Sequence, residues 1–248
     1  MMQGTTLPDC DIVLEKVSIY LGGEGVIRNV TVRMGPKGFH VIAGPNGAGK
    51  TTLIKAIAGV IEYNGLIEVC GTKPRLASRH IAYSPATPSY DPWARVIDVM
   101  EAGVYRARRS LDPGEAANYL KRLGLEGYLY RRFGELSSGE QKLVDIARSL
   151  ARNPKVLLLD EPLAFLDLRN QARIIRLLRE LSRITTVVAT MHELHFLDFS
   201  DQVIILDKGS IAYAGNPRGV PLDLLAKIYK TRISETVIEG KRYILPIP

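Results

Sequence analysis

The sequence predicts an α/β fold: a mixed, largely parallel sheet covered by helices, with an antiparallel β region at the N-terminus and an inserted helical lobe. Three observations predict it. Short apolar runs alternate with helical patterns from Gly139 onward, the first 35 residues read as strands, and residues 91–132 carry two amphipathic helical patterns in succession.

Residues 12–14 and 17–20 read as strands before a Gly22-Gly23 turn, and 30–34 alternate apolar with polar. Residues 39–43 form a short apolar run ending at a glycine loop, after which 50–61 have helical spacing. Asn64-Gly65 reads as the turn of a tight hairpin. In the lobe, helices are predicted over 94–109 and 113–123, split by a turn at 110–114. The alternation then returns, with a helix over 139–152, strand 156–160, helix 168–183, strand 186–190, a short helix and strand 203–206. A Lys208-Gly209 turn leads to a last strand over 211–214. Strands alternating with helices imply a parallel, covered sheet. The expectation is one domain over 1–248, with its core in 1–90 and 133–248 and the lobe at about 91–132.

Composition narrows the class. With 46% apolar and 24% charged residues, the chain has the balance of an ordinary globular protein. It contains no run of the roughly 18 apolar residues that a membrane helix needs. The polar stretch Met1 to Asp11 lacks a signal-peptide core, so the protein is expected to stay where it is made. The charge of +7, from 33 basic and 26 acidic residues, permits attraction to anions. It is dispersed, however: eight basic and six acidic residues lie between Arg95 and Glu135. Arg106, Arg108, Arg109, Arg131 and Arg132 therefore read as a solvated face rather than a nucleic-acid groove, and no stripe of aromatics is interleaved with them. Cys10 and Cys70 have no metal-ligand spacing and read as reduced, partly buried thiols.

Three segments carry chemistry. Gly44-Pro45-Asn46-Gly47-Ala48-Gly49-Lys50-Thr51 fits G-x-x-x-x-G-K-[ST] between a predicted strand and a predicted helix. Its glycines let successive N–H groups point at phosphate oxygens, and the helix N-terminus adds positive potential. Lys50 is placed for the β- and γ-phosphates of ATP, and the Thr51 hydroxyl for Mg2+, with Thr52 beside it. The core is thus read as a P-loop NTPase core. Next, the apolar strand Val156-Leu157-Leu158-Leu159 ends in Asp160-Glu161, at the strand edge where ligands of open α/β sheets collect. Asp160 suits Mg2+ and Glu161 a general base that activates water. Third, Leu136-Ser137-Ser138-Gly139-Glu140-Gln141 precedes a helix. Ser137 with Glu140 makes a capping box, and the same serine, glycine and helix N-terminus could cradle a γ-phosphate.

With Leu166-Asp167 and Thr190-Met191-His192-Glu193 following, this ordered set resembles the ATPase subunit of an ABC transporter over nearly the whole chain. The resemblance implies a head-to-tail dimer of two such subunits. Each ATP would lie between one phosphate loop and the partner's Ser137, Ser138, Gly139 and Glu140, with Asp167 at the seam and His192 at the γ-phosphate. It also implies a peripheral position on the cytoplasmic face of the cell membrane. There the helical lobe would dock on an integral membrane permease, itself served by a substrate-binding protein, with no nucleic acid involved. Residues 101–105, 166–171 and 209–217 are similar to ATPases of iron-siderophore, haem and cobalamin importers. His195 has no such support and reads as structural.

The chain departs from that family's pattern in several places. Ala86, in the stretch Ile81-Ala82-Tyr83-Ser84-Pro85-Ala86 that joins core to lobe, replaces a glutamine that contacts Mg2+ and water. Ser138 replaces a glycine and Ala164 a serine. The adenine-stacking aromatic falls at Leu21, which leaves Tyr20 as the candidate. Slow but genuine ATPase activity is expected. The alternative is a non-transport, ATP-gated clamp of the same superfamily acting on nucleic acid or ribosomes. A small-molecule kinase would leave residues 136–141 and His192 without a shared purpose.

Overall fold

A computed structural model describes residues 10–105 and 110–247. The N-terminal region is an antiparallel sheet in the order β2-β1-β4, formed by β1 (Ile12–Leu21), β2 (Glu24–Met34) and β4 (Asn64–Val69). The central sheet has six strands: β3 (Phe39–Ala43), β5 (Ile81–Ser84), β6 (Val156–Leu159), β7 (Thr186–Met191), β8 (Gln202–Asp207) and β9 (Ser210–Gly215). Their order is β5-β6-β7-β3-β8-β9, parallel throughout except for β9, which returns antiparallel on β8.

Every residue of β3, β6 and β7 is buried, because both faces of the sheet are covered. Alternate side chains feed two cores. Val41, Leu157, Leu159 and Val187 point into the core shared with α2 (Val96–Val104), α3 (Pro113–Arg122), α4 (Ser138–Ala151) and α5 (Leu168–Leu181). Ile42, Leu158 and Val188 point the other way, into the core shared with the antiparallel sheet and α1 (Lys50–Ile57). The inserted lobe is α2 and α3, which pack on α4. None of the described helices is long and apolar enough to cross a membrane.

Four expectations need correction. Asn64-Gly65 is not a hairpin turn but the start of β4: Gly65 has φ +96°, and a Cβ there would lie 2.5 Å from the Lys16 carbonyl. That glycine serves a close backbone approach where β1 is irregular, a role the dipeptide shares with turns. Residues 81–84, given only as a connection between core and lobe, form the edge strand β5. Cys10 and Cys70 are joined as a disulfide, because the pairing of Ile12 with Val69 brings the flanking residues together, with Cα atoms 4.2 Å apart. The first lobe helix begins later than 94, with the Arg95 N–H bonded to Asp98 Oδ2 at 2.9 Å. Its expected end at 106–109, with Arg106, Arg108 and Arg109 of the solvated face, lies outside the described residues.

The sequence patterns also passed over the C-terminal segment, which folds as α6 (Leu222–Tyr229) and a hairpin of β10 (Arg232–Ile238) and β11 (Lys241–Ile247). Its anchor is the buried Asp198, which accepts from Arg218 Nε at 3.0 Å and from the Arg242 N–H at 3.0 Å.

Candidate functional site

The phosphate loop runs from the end of β3 into α1. Gly44 adopts φ +150°, and a Cβ there would sit 2.3 Å from the Leu206 carbonyl, so the loop hugs β8 in a way only glycine permits. Gly49 is left-handed at φ +100° and caps the helix with no side chain in the way. The loop opens on a cleft of about 190 Å³ lined by Val26, Asn46, Gly47, Gly49, Lys50, Thr51, Thr52, Glu161 and His192. That volume is below the several hundred Å3 of a site enclosing a drug-sized ligand. It suits a phosphate chain whose nucleoside lies at the surface.

Lys50 is buried, and its ammonium donates to the Gly44 carbonyl at 2.8 Å and the Pro45 carbonyl at 3.0 Å. Burial pushes its pKa below the usual lysine range, against the pull of Glu161, Asp160 and Glu193. Asp160 is also buried, at the end of β6, and its Oδ1 accepts from the Thr51 hydroxyl at 3.1 Å and the Thr190 hydroxyl at 2.7 Å. Thr190 in turn accepts from the Glu161 N–H at 2.8 Å. Glu161 itself has φ +48°, a left-handed conformation that costs a non-glycine residue about 1–2 kcal/mol. Such strain, held by surrounding bonds, is common at working sites. Its Oε1 lies 2.5 Å from His192 Nε2, and His192 Nδ1 lies 3.3 Å from Lys50 Nζ. His192 thus bridges the loop lysine and the carboxylate.

The structure brings residues 44–52, Asp160, Glu161 and His192 together, but leaves the rest of the expected set elsewhere. Ser137 caps α4, accepting from the Glu140 N–H at 3.3 Å while Glu140 Oε2 accepts from the Ser137 N–H at 2.8 Å. The Tyr128 hydroxyl first, then Ser137, holds the Glu140 carboxyl below the usual carboxylate range. Ser138 and Gly139 open that helix, and a Cβ on Gly139 would meet the Phe165 carbonyl at 2.8 Å. The turn therefore packs against the loop leading to Asp167, which caps α5 through the Asn170 N–H at 2.7 Å. None of these lines the phosphate cleft of its own chain. Tyr20 is exposed on β1 beside Gly25 and does not line the cleft either. His195 is half-buried against Phe196, and burial lowers its pKa, in keeping with a structural role.

Two residues were missed by sequence reasoning. Nothing in the strand pattern marks Thr190 as a bridge from the Asp160 carboxylate to the Glu161 N–H. Lys142 was readable: it falls on the same helical face as Ile146 and Ser149, a buried stripe, and it is completely buried. Its ammonium donates to the Asp160 carbonyl at 2.7 Å and to the Pro85 carbonyl, and burial pushes its pKa down to about 8.

Residues 27–164 match the family model described as ABC transporter. The chain belongs to the ABC transporter family. It is one of that family's ATP-binding subunits, an ATPase. It is 34% identical over 235 residues to the manganese transport system ATP-binding protein MntB of Halalkalibacterium halodurans, covering 90% of this chain and 93% of that one. It is 31% identical to the hemin import ATP-binding protein HmuV of Mesorhizobium japonicum, covering 93% and 96%. Among solved structures, this ABC subunit resembles the dimeric post-hydrolysis state of the ATP-binding cassette MJ0796 bound to ADP and Pi. There the TM-score is 0.76 and the identity 26%, over 84% of this chain and 100% of that one.

Proposed function

We propose that this ATPase drives import through a separate integral membrane permease, docking on its cytoplasmic face as one half of a head-to-tail dimer. The observation that carries the proposal is the geometry at the cleft mouth. Glu161 and His192 lie 2.5 Å apart over the phosphate loop, while Ser137, Ser138, Gly139 and Glu140 sit away from it, as if to serve another copy's cleft. The import role draws support from the MntB and HmuV relatives. The dimer draws it from the dimeric cassette. Substrate delivery by a binding protein would follow from the same reading.

In the reaction, Glu161 takes a proton from a water molecule whose oxygen attacks the γ-phosphorus, and the bond from that phosphorus to the β–γ bridging oxygen breaks. His192 holds the Glu161 carboxylate toward the cleft and senses Lys50 through its other nitrogen. Thr190 fixes the backbone of Glu161. The residues fit Mg2+: Thr51 and Asp160 supply hard oxygens 3.1 Å apart beside the phosphates, and this ion takes only one or two protein ligands. Thr51 and Asp160 would hold it, and when bound it offsets negative charge on the phosphate oxygens.

Detergent extraction with a tagged chain tests the transport role. A co-purifying polytopic membrane protein that stimulates ATP hydrolysis supports it. Nuclease-sensitive material in its place would instead indicate a clamp on nucleic acid or ribosomes.

A further inference from the structure

We infer that Lys142 is the positioning residue that carries the nucleotide state from Asp160–Glu161 to the segment leading into the helical lobe, a link that the Ala86 side chain cannot make. This rests on the ATPase reading of the cleft.

The geometry is a clamp. β5 and β6 end side by side, with the Asp160 N–H bonded to the Ser84 carbonyl at 2.9 Å. One residue further along each chain, the Lys142 ammonium spans the gap, donating to the Asp160 carbonyl and the Pro85 carbonyl. Both carbonyls belong to peptide units that lead directly onward, to Glu161 on one side and to Ala86 on the other. A methyl group at 86 can neither donate nor accept, so beyond the backbone bond from Asp160 to Ser84 it is the buried cation that ties these two segments together.

The clamp continues along α4. Asp145, fully buried, accepts from Arg148 Nε at 2.8 Å and from the Tyr90 hydroxyl. Arg148 also donates to the Tyr83 carbonyl at 3.0 Å. The segment 83–90 is thereby tied to one helix at Tyr83, Pro85 and Tyr90. The same helix begins at the Ser138-Gly139 turn and packs tightly on α2, where a Cβ on Gly103 would lie 2.9 Å from the Arg148 carbonyl. A shift of the carboxylate segment therefore moves α4, residues 83–90 and the lobe as one piece.

Trp93, the single tryptophan, reports on this segment: it is 73% exposed, with the Arg132 guanidinium 5.1 Å from its ring centre. The test is to titrate Mg2+-ATP into the purified chain while reading Trp93 emission, with ATP affinity from equilibrium dialysis and turnover on the same samples. Wild type should show a saturable Trp93 response. Lys142→Met should bind ATP within about threefold of wild type, yet lose most of the response and about tenfold in kcat, with KM little changed. Lys142→Gln, whose amide still donates, should recover part of both. Tyr90→Phe removes another tie without touching the cleft and should weaken the response, which serves if Lys142→Met does not fold. An unaltered response in Lys142→Met or, if that variant does not fold, in Tyr90→Phe overturns the inference. So does a silent Trp93 in an active wild type, or a Gln variant no better than Met. A wild type that neither binds nor hydrolyses ATP would instead refute the ATPase reading beneath it.

Discussion

Thr190→Val swaps one hydroxyl for a methyl of nearly the same size, at a position with no exposure. Two bonds go with it. The Asp160 carboxylate loses a donor at 2.7 Å, and the Glu161 N–H loses its acceptor at 2.8 Å. A hydrogen bond to a charged group contributes about 1.5–3 kcal/mol, and an unsatisfied buried amide costs about 1–3 kcal/mol. The extra apolar contact of valine offsets part of this, which leaves a net loss of about 3 kcal/mol. For a chain of this size that lowers Tm by roughly 6–12 °C. Thr190→Ser keeps both bonds and gives up one buried methyl, about 1 kcal/mol. Calorimetry of the three proteins should therefore rank wild type above Ser and Ser above Val. Turnover should follow the same order, because the strained φ of +48° at Glu161 is held in part by this bond. A Val variant at least as stable and as active as the Ser variant would rule out this bridging role for the Thr190 hydroxyl.

Two other outcomes are expected. The Cys10–Cys70 disulfide closes a loop with a sequence separation of 60, which restricts the unfolded chain by up to about 4 kcal/mol. Reductant should lower the Tm of oxidised wild type but not that of Cys10→Ser, and two titratable thiols in the oxidised protein would contradict the pairing. At the C-terminal hairpin, burial raises the Asp198 pKa but Arg218 and the Arg242 N–H lower it by more, so the folded value lies below the ordinary 3.8. Stability from this group is complete above the unfolded value and lost as pH falls through the folded one. The Tm gap between wild type and Asp198→Asn should thus be widest at neutral pH and shrink below about pH 4, and a gap independent of pH would count against the anchor.

Much of this was legible because both the fold and the cleft are written in local patterns. The phosphate loop declares itself by spacing between a strand and a helix, and the Val156–Leu159 run declares a doubly covered strand ending in carboxylates. What stayed hidden depends on register between distant segments. Thr190 reaches Glu161 only because β6 and β7 pair with Leu159 opposite Ala189. The cysteines meet only because β4 pairs with β1. Asn64-Gly65 misled because one glycine serves equally a turn and a close crossing. Residues 137–140 lie outside the cleft of their own chain, so it is the order of the motifs, not a contact within one molecule, that ties them to a nucleotide.

Glu161, bonded to His192 above the phosphate loop, is proposed to activate water for ATP cleavage in a site completed by a second subunit. The most direct measurement compares ATP hydrolysis and oligomeric state for wild type and Glu161→Gln at saturating Mg2+-ATP, by phosphate release and by light scattering on a sizing column. Wild type should hydrolyse ATP slowly and Glu161→Gln not at all, with an ATP-bound dimer accumulating only in the variant. Equal hydrolysis by both proteins would contradict that role for Glu161.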